Sequence, residues 1–229
     1  MRLSRLTGFA LISIGLASAL MAMPRHTQAT VTADLSGNLS RASDDGLSST
    51  PNMDANATLS PDGKSVAFDS WRDGDGEIYV KSADGALPPL RLTRQAGFDS
   101  QPVWSPDGRR LAFISDRDGN DEIYVMDADG AHQQRLTDNP GHDWQPSWSP
   151  DGKRLAYMSD RDGNWNIYVV SIDGSKRLDG SGRIQLTSSS SREGLPSWSP
   201  DGTRLAFVSD RDGDFDVYVV DADGGASRG

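Results

Sequence analysis

Four copies of one tetrapeptide punctuate this chain: Ser60-Pro61-Asp62-Gly63, Ser105-Pro106-Asp107-Gly108, Ser149-Pro150-Asp151-Gly152 and Ser199-Pro200-Asp201-Gly202. Their prolines lie 45, 44 and 50 residues apart. Each copy precedes an Ala-aromatic pair (Ala67-Phe68, Ala112-Phe113, Ala156-Tyr157, Ala206-Phe207), an Asp-Gly turn, an Ile-Tyr-Val or Val-Tyr-Val run and a closing Asp-Gly. A period in the forties, with several short β-rich runs separated by Gly and Asp, is the sequence form of a four-stranded propeller blade.

The second unit shows the strands most clearly. Gln101 to Trp104 reads as an innermost strand A, with Pro102 tolerable at a strand start. Ser105 to Gly108 is a turn in which Pro presets φ and Gly accepts positive φ. Arg110 to Ser115 is strand B, Glu122 to Met126 strand C and Gln134 to Thr137 a short outer strand D. Trp104, Trp148 and Trp198 recur at the end of strand A, as rings that each blade packs against its neighbour; the first unit has Leu59 there.

The fourth unit runs out after Asp223-Gly224, without a strand D. Leu47-Ser48 stands twelve residues before Ser60, the spacing of Thr93, Thr137 and Thr187 from the serines that follow them. The expected fold is therefore all-β: a β-propeller of four four-stranded antiparallel blades, closed by an N-terminal strand that completes the last blade and removes open edges. Two chains pairing into eight blades is the alternative, so monomer and dimer both stay open.

Composition sets the surroundings. Arg2 and Arg5 precede an apolar stretch from Leu6 to Met23, and Thr27-Gln28-Ala29 offers small residues for cleavage. Residues 1–29 read as a signal peptide, 30–43 as a flexible linker, 44–224 as the propeller and 225–229 as a disordered tail. A periplasmic or secreted product follows, with no stable membrane insertion once the leader is gone. The chain has no Cys, so neither a disulfide nor a lipidated Cys is available. Leader removal takes away Arg2, Arg5 and Arg25, leaving 33 acids against 20 Lys and Arg. That balance, about −13, excludes nucleic acid as a partner, because phosphate backbones are held by clustered cations.

The motif Ser-Pro-Asp-Gly-x-x-Leu-Ala-Phe-x-Ser-Asp-Arg-Asp-Gly-x-x-x-Ile-Tyr-Val resembles the TolB-type propeller repeat, over residues 47 to 224. TolB itself carries a separate N-terminal α/β domain and a six-bladed propeller, and binds envelope proteins in the bacterial periplasm. Residues 30 to 46 are too short for that domain, so the resemblance implies only the propeller's binding role. Similar repeats occur in prolyl-oligopeptidase-type peptidases and oligogalacturonate lyases, and fold alone does not choose among these.

Alternating strand directions put the B–C turns and D–A loops on one face. Trp71 stands there in place of Asp116, Asp160 and Asp210, and Trp165 and Phe215 in place of Asp121; Phe98, His142 and Trp144 lie in D–A loops. These six side chains, Trp71, Phe98, His142, Trp144, Trp165 and Phe215, are the expected partner-binding rim for an envelope or periplasmic protein. The other expectation for them is that several merely cap blade packing.

No cofactor is expected. Asp116-Arg117-Asp118-Gly119-Asn120-Asp121 alternates oxygen ligands as a calcium loop would, but has Gly fourth rather than sixth and no Glu at the twelfth place. The turn aspartates are instead expected to bond turn amides and pair with Arg72, Arg117, Arg161 and Arg211. An enzyme reading finds no Gly-x-Ser-x-Gly, no phosphate loop and only His132 and His142 after the leader. What remains for it is a carboxylate-based lyase, hydrolase or sugar-binding site at the central funnel, with Asp99 and Asp143 facing each other.

Overall fold

The computed structural model describes residues 53–172 and 183–224. The leader, the linker, Leu47-Ser48, the Ser175–Gly182 loop and the 225–229 tail lie outside the described residues.

Within them the strands run β1 Asp54–Leu59, β2 Ser65–Ser70, β3 Glu77–Ser82, β4 Leu90–Arg91, β5 Asp99–Trp104, β6 Arg110–Ser115, β7 Glu122–Asp127 and β8 Gln134–Arg135. They continue as β9 Asp143–Trp148, β10 Arg154–Ser159, β11 Asn166–Ser171, β12 Arg183–Gln185, β13 Glu193–Trp198, β14 Arg204–Ser209 and β15 Asp216–Asp221. These make four antiparallel meanders in chain order, with β13-β14-β15 three-stranded among the described residues.

The repeated tetrapeptide folds as its chemistry dictates. In the second sheet the Ser105 hydroxyl donates to Asp107 Oδ1 at 2.6 Å, the Arg109 amide donates to the same oxygen at 3.1 Å, and Gly108 takes φ 68°. All four copies close this way, which pins the register of each A–B hairpin.

Strand A starts earlier than expected, at Asp99 rather than Gln101. The cause is a bulge. Gln101 sits at φ 51°, and the extra residue lets Asp99 and Ser100 pair with Ser115 and Ile114. Asn56, Gln145 and Leu195 repeat the kink in the other sheets. Strand D is shorter than expected, because the Leu136 and Thr137 amides both turn to Ile123 O and leave the ladder.

Packing runs from each sheet to the next. β1 and β2 lie against β5, β5 and β6 against β9, and β9 and β10 against β13. The second and third sheets bury Ile114, Ile123, Val125 and Leu136 against Trp148, Leu155, Tyr157 and Tyr168. Each strand-A tryptophan bonds back across its seam: Trp104 Nε1 donates to Thr58 O, Trp148 to Val103 O and Trp198 to Ser147 O, at 3.2, 3.2 and 3.0 Å. Arg110 lies over the Trp148 ring and donates to Gly152 O, and Arg154 does the same with Trp198 and Gly202 O. Among the described residues the first and fourth sheets do not pack on one another. Leu59, in the tryptophan position, is 59% exposed, and Val217 on β15 is 52% exposed.

Candidate functional site

An arginine from each B–C turn builds the face that carries the candidate site. Arg117 Nη2 grips both oxygens of Asp99 at 3.0 and 2.9 Å, its Nε donates to Ser115 Oγ, and its guanidinium lies 4.6 Å from the Tyr124 ring centre. Arg72 with Asp54, Arg161 with Asp143 and Arg211 with Glu193 repeat the clamp. The expected pairing of these arginines with turn aspartates is thus corrected. Their partners are the first carboxylates of strand A, mostly inaccessible to water, where removal of either partner leaves an uncompensated buried charge. The turn aspartates Asp73, Asp118, Asp162 and Asp212 instead accept from the hydroxyls of Tyr79, Tyr124, Tyr168 and Tyr218. Burial, helped by that hydrogen bond, pushes the Tyr79 phenol up to about 12.

Asp99 and Asp143, the carboxylates of the funnel reading, are members of these clamps. Each is buried and held by its own arginine. Burial pushes the Asp143 carboxyl up while Arg161 opposes it. Among the described residues no three His, Asp or Glu side chains are grouped to hold a metal ion. His132 is away in the C–D turn, paired with Asp127 at 2.6 Å.

B–C turns and D–A loops do adjoin. The Asp116, Asp160 and Asp210 carboxylates accept from the amides of Phe98, His142 and Arg192 in the D–A loops. The six rim residues fall into three groups. Trp71 and Phe98 meet at a tilt of 37° with ring centres 5.2 Å apart, and the Phe98 ring lies directly over Gly76, where a Cβ would meet it at 2.2 Å. His142, Trp144 and Trp165 form the second group. Asp121 Oδ2 joins the first two, 2.8 Å from His142 Nδ1 and accepting from Trp144 Nε1 at 3.0 Å, and the Trp144 and Trp165 rings are 5.1 Å apart. Phe215 stands apart from both, with Arg192 5.2 Å over its ring.

Phe215 is 37% exposed and the other five are half-buried, so all six are partly accessible to water. Sequence reasoning missed Asp121, Arg192 and Gly76. Asp121 resembles an ordinary turn residue, whereas Gly76 was detectable as the small residue aligned with Asp121, Trp165 and Phe215. Exposed turn carboxylates, among them Asp73, Asp118, Asp162 and Asp212, surround the three groups with negative charge.

Residues 90–179 match the TolB beta propeller domain. A comparison with curated proteins found no match. Among solved structures, one named for TolB from Agrobacterium tumefaciens is similar at 31% identity and a TM-score of 0.63, covering 75% of this chain and 62% of that one. TolB from Acinetobacter baumannii is similar at 27% identity and a TM-score of 0.63, covering 77% of this chain and 43% of that one. The chain thus spans less than two thirds of either TolB structure. An oligogalacturonate lyase from Vibrio parahaemolyticus shares the fold at 17% identity and a TM-score of 0.58, covering 74% of this chain and 50% of that one.

Proposed function

Because this chain is built of TolB-type β-propeller repeats, we propose that it is an exported, non-enzymatic interaction module that captures an envelope or periplasmic protein. The partner sits on the face carrying the B–C turns and D–A loops. One observation carries the reading: three aromatic groups on that face are each partly exposed, near exposed turn carboxylates. Rings held in place by their neighbours and partly accessible to water supply large contact area at little entropic cost, which is what binding hot spots use. The acidic border suits a partner with basic side chains around an apolar centre.

Binding is favoured over funnel catalysis by the state of Asp99 and Asp143, whose carboxylates are committed to Arg117 and Arg161. The proposal includes completion of the fourth sheet by a strand at Leu47-Ser48 laid on the edge of β15 that is unpaired among the described residues, which would shield that edge from unrelated chains.

Capture from an envelope extract tests the rim. Trp165→Ala should lose the captured protein while keeping the wild-type unfolding midpoint, and added salt should weaken capture by the wild type. Equal capture by Trp165→Ala, Trp71→Ala and wild type would remove the rim from the reading. Turnover of an oligogalacturonate or a peptide that disappears in Asp143→Asn would replace it with the enzyme.

A further inference from the structure

The B–C turns of the third and fourth sheets are built alike. Gly163 and Gly213 take φ 86° and 106°, their amides donate to Asp160 O and Asp210 O, and the hydroxyls of Tyr168 and Tyr218 donate to Asp162 and Asp212. Each turn also carries a carboxylate that meets the D–A loop of its own sheet, followed five residues later by an aromatic ring: Asp160 with Trp165, and Asp210 with Phe215.

In the fourth sheet the chain completes this arrangement with a cation of its own. Asp210 Oδ1 accepts from the Arg192 amide at 2.7 Å and Asp210 Oδ2 from Arg192 Nε at 3.0 Å, while the same guanidinium lies 5.2 Å over the Phe215 ring. One planar cation thus meets a carboxylate along its edge and an aromatic ring across its face, a combination that suits a guanidinium and not a compact ammonium.

The third sheet keeps both acceptors without that cation. His142 stands at the position of Arg192, and its amide donates to Asp160 Oδ1 at 2.6 Å in the same way. Its ring turns to the second sheet instead, with Nδ1 2.8 Å from Asp121 Oδ2. The turn's own cation, Arg161, is committed to Asp143. Among the described residues Asp160 Oδ2 accepts no hydrogen bond, and no cation lies over Trp144 or Trp165, whose rings are 5.1 Å apart. Asp160 and both indoles are partly accessible to water, and Asp162 in the same turn is exposed. The third sheet packs on the second and on the fourth, so this corner belongs to the interior of the row.

We infer that Asp160, Trp144 and Trp165 form the subsite for an arginine side chain of the captured partner, whose guanidinium lies against them as Arg192 lies against Asp210 and Phe215. The inference rests on the rim reading given above and narrows the partner to a chain that presents an accessible arginine.

The probe is N-acetyl-arginine amide, titrated into the full chain carrying isotope-labelled tryptophan, with the indole resonances of Trp144 and Trp165 identified from their Phe variants. The expected result is a saturable shift confined to these two of the six tryptophans, absent with the neutral isostere N-acetyl-citrulline amide. Asp160→Asn keeps an acceptor for the His142 amide and removes the charge, and it should weaken binding about threefold to tenfold. His142→Arg installs the fourth sheet's guanidinium in the third and should exclude the probe from within. Equal shifts with the arginine and citrulline probes, no shift at either indole, or arginine binding unchanged in Asp160→Asn would overturn the inference. Capture from an envelope extract separates the two readings: capture that survives without probe binding overturns the subsite and leaves the rim standing, whereas probe binding without capture supports the subsite and counts against the rim as a protein-binding face.

Discussion

The Gln101 amide donates to Asp69 Oδ1 at 3.2 Å across the seam between the first two sheets, while Asp69 Oδ2 has no hydrogen-bond partner. Asp69 is fully buried and stands where the other repeats have Ile114, Met158 and Val208. An acid without a cationic partner among the causes of its shift stands where the other repeats are apolar, at a cost in desolvation that the Asn56 side chain and the Gln101 amide offset in part.

That cost depends on pH. Burial pushes the Asp69 carboxyl from 3.8 to about 6. The folded chain therefore holds this proton more tightly than the unfolded chain, and the group's contribution to stability falls as pH rises from about 4 to about 6. Asp69→Asn keeps the acceptor for Gln101 and removes the charge. Urea unfolding should show it more stable than wild type at pH 7 by on the order of 2–3 kcal/mol, with the difference gone near pH 4. A variant less stable than wild type at pH 7 would contradict this account.

Arg161 tests the clamps. Its Nη2 is 3.0 Å from both oxygens of the fully buried Asp143, and its plane lies 4.5 Å from the Tyr168 ring centre. Arg161→Ala strands a buried carboxylate and should cost about 3–5 kcal/mol by chemical denaturation. Adding Asp143→Asn should recover part of that loss, since the stranded charge goes with it.

Trp148 tests the seams. Trp148→Leu imports the residue that the first sheet carries and removes the bond to Val103 O together with the ring beneath Arg110. Thermal unfolding should report a loss of about 2–4 kcal/mol. A change within experimental error would mean that the seam is held by its aliphatic contacts alone.

Much of this architecture is legible in the sequence because its signals are local. The Ser-Pro-Asp-Gly turns are closed by bonds between residues two and five apart, so the tetrapeptide carries its own geometry. What escapes is what depends on distance along the chain. Arg117 finds Asp99 eighteen residues upstream, beyond the nearer turn aspartates that sequence proximity suggests. The bulge at Gln101 escapes because a non-glycine residue gives no hint of its positive φ. For the rim, Trp71 and Phe98 are visible as departures from the repeat, and their contact follows from adjoining loops; Asp121 is hidden by looking like a template residue.

Gly76 offers a test of the rim's construction. A Cβ there would fall 2.2 Å from the Phe98 ring, so Gly76→Ala must displace Phe98 and part it from Trp71. The expected result is a changed near-ultraviolet dichroism with a stability loss of about 1–3 kcal/mol. An unchanged aromatic signal would show that the pair does not depend on the space beneath it.

The cross-seam bonds of the tryptophans join only adjacent sheets, so loss of order is transmitted one sheet at a time. Such an array unravels from its ends as a zipper does, with the interior protected longest from amide exchange. The terminal sheets then act as sacrificial cladding: a nick or a destabilising change in either is absorbed there before the middle of the row registers it.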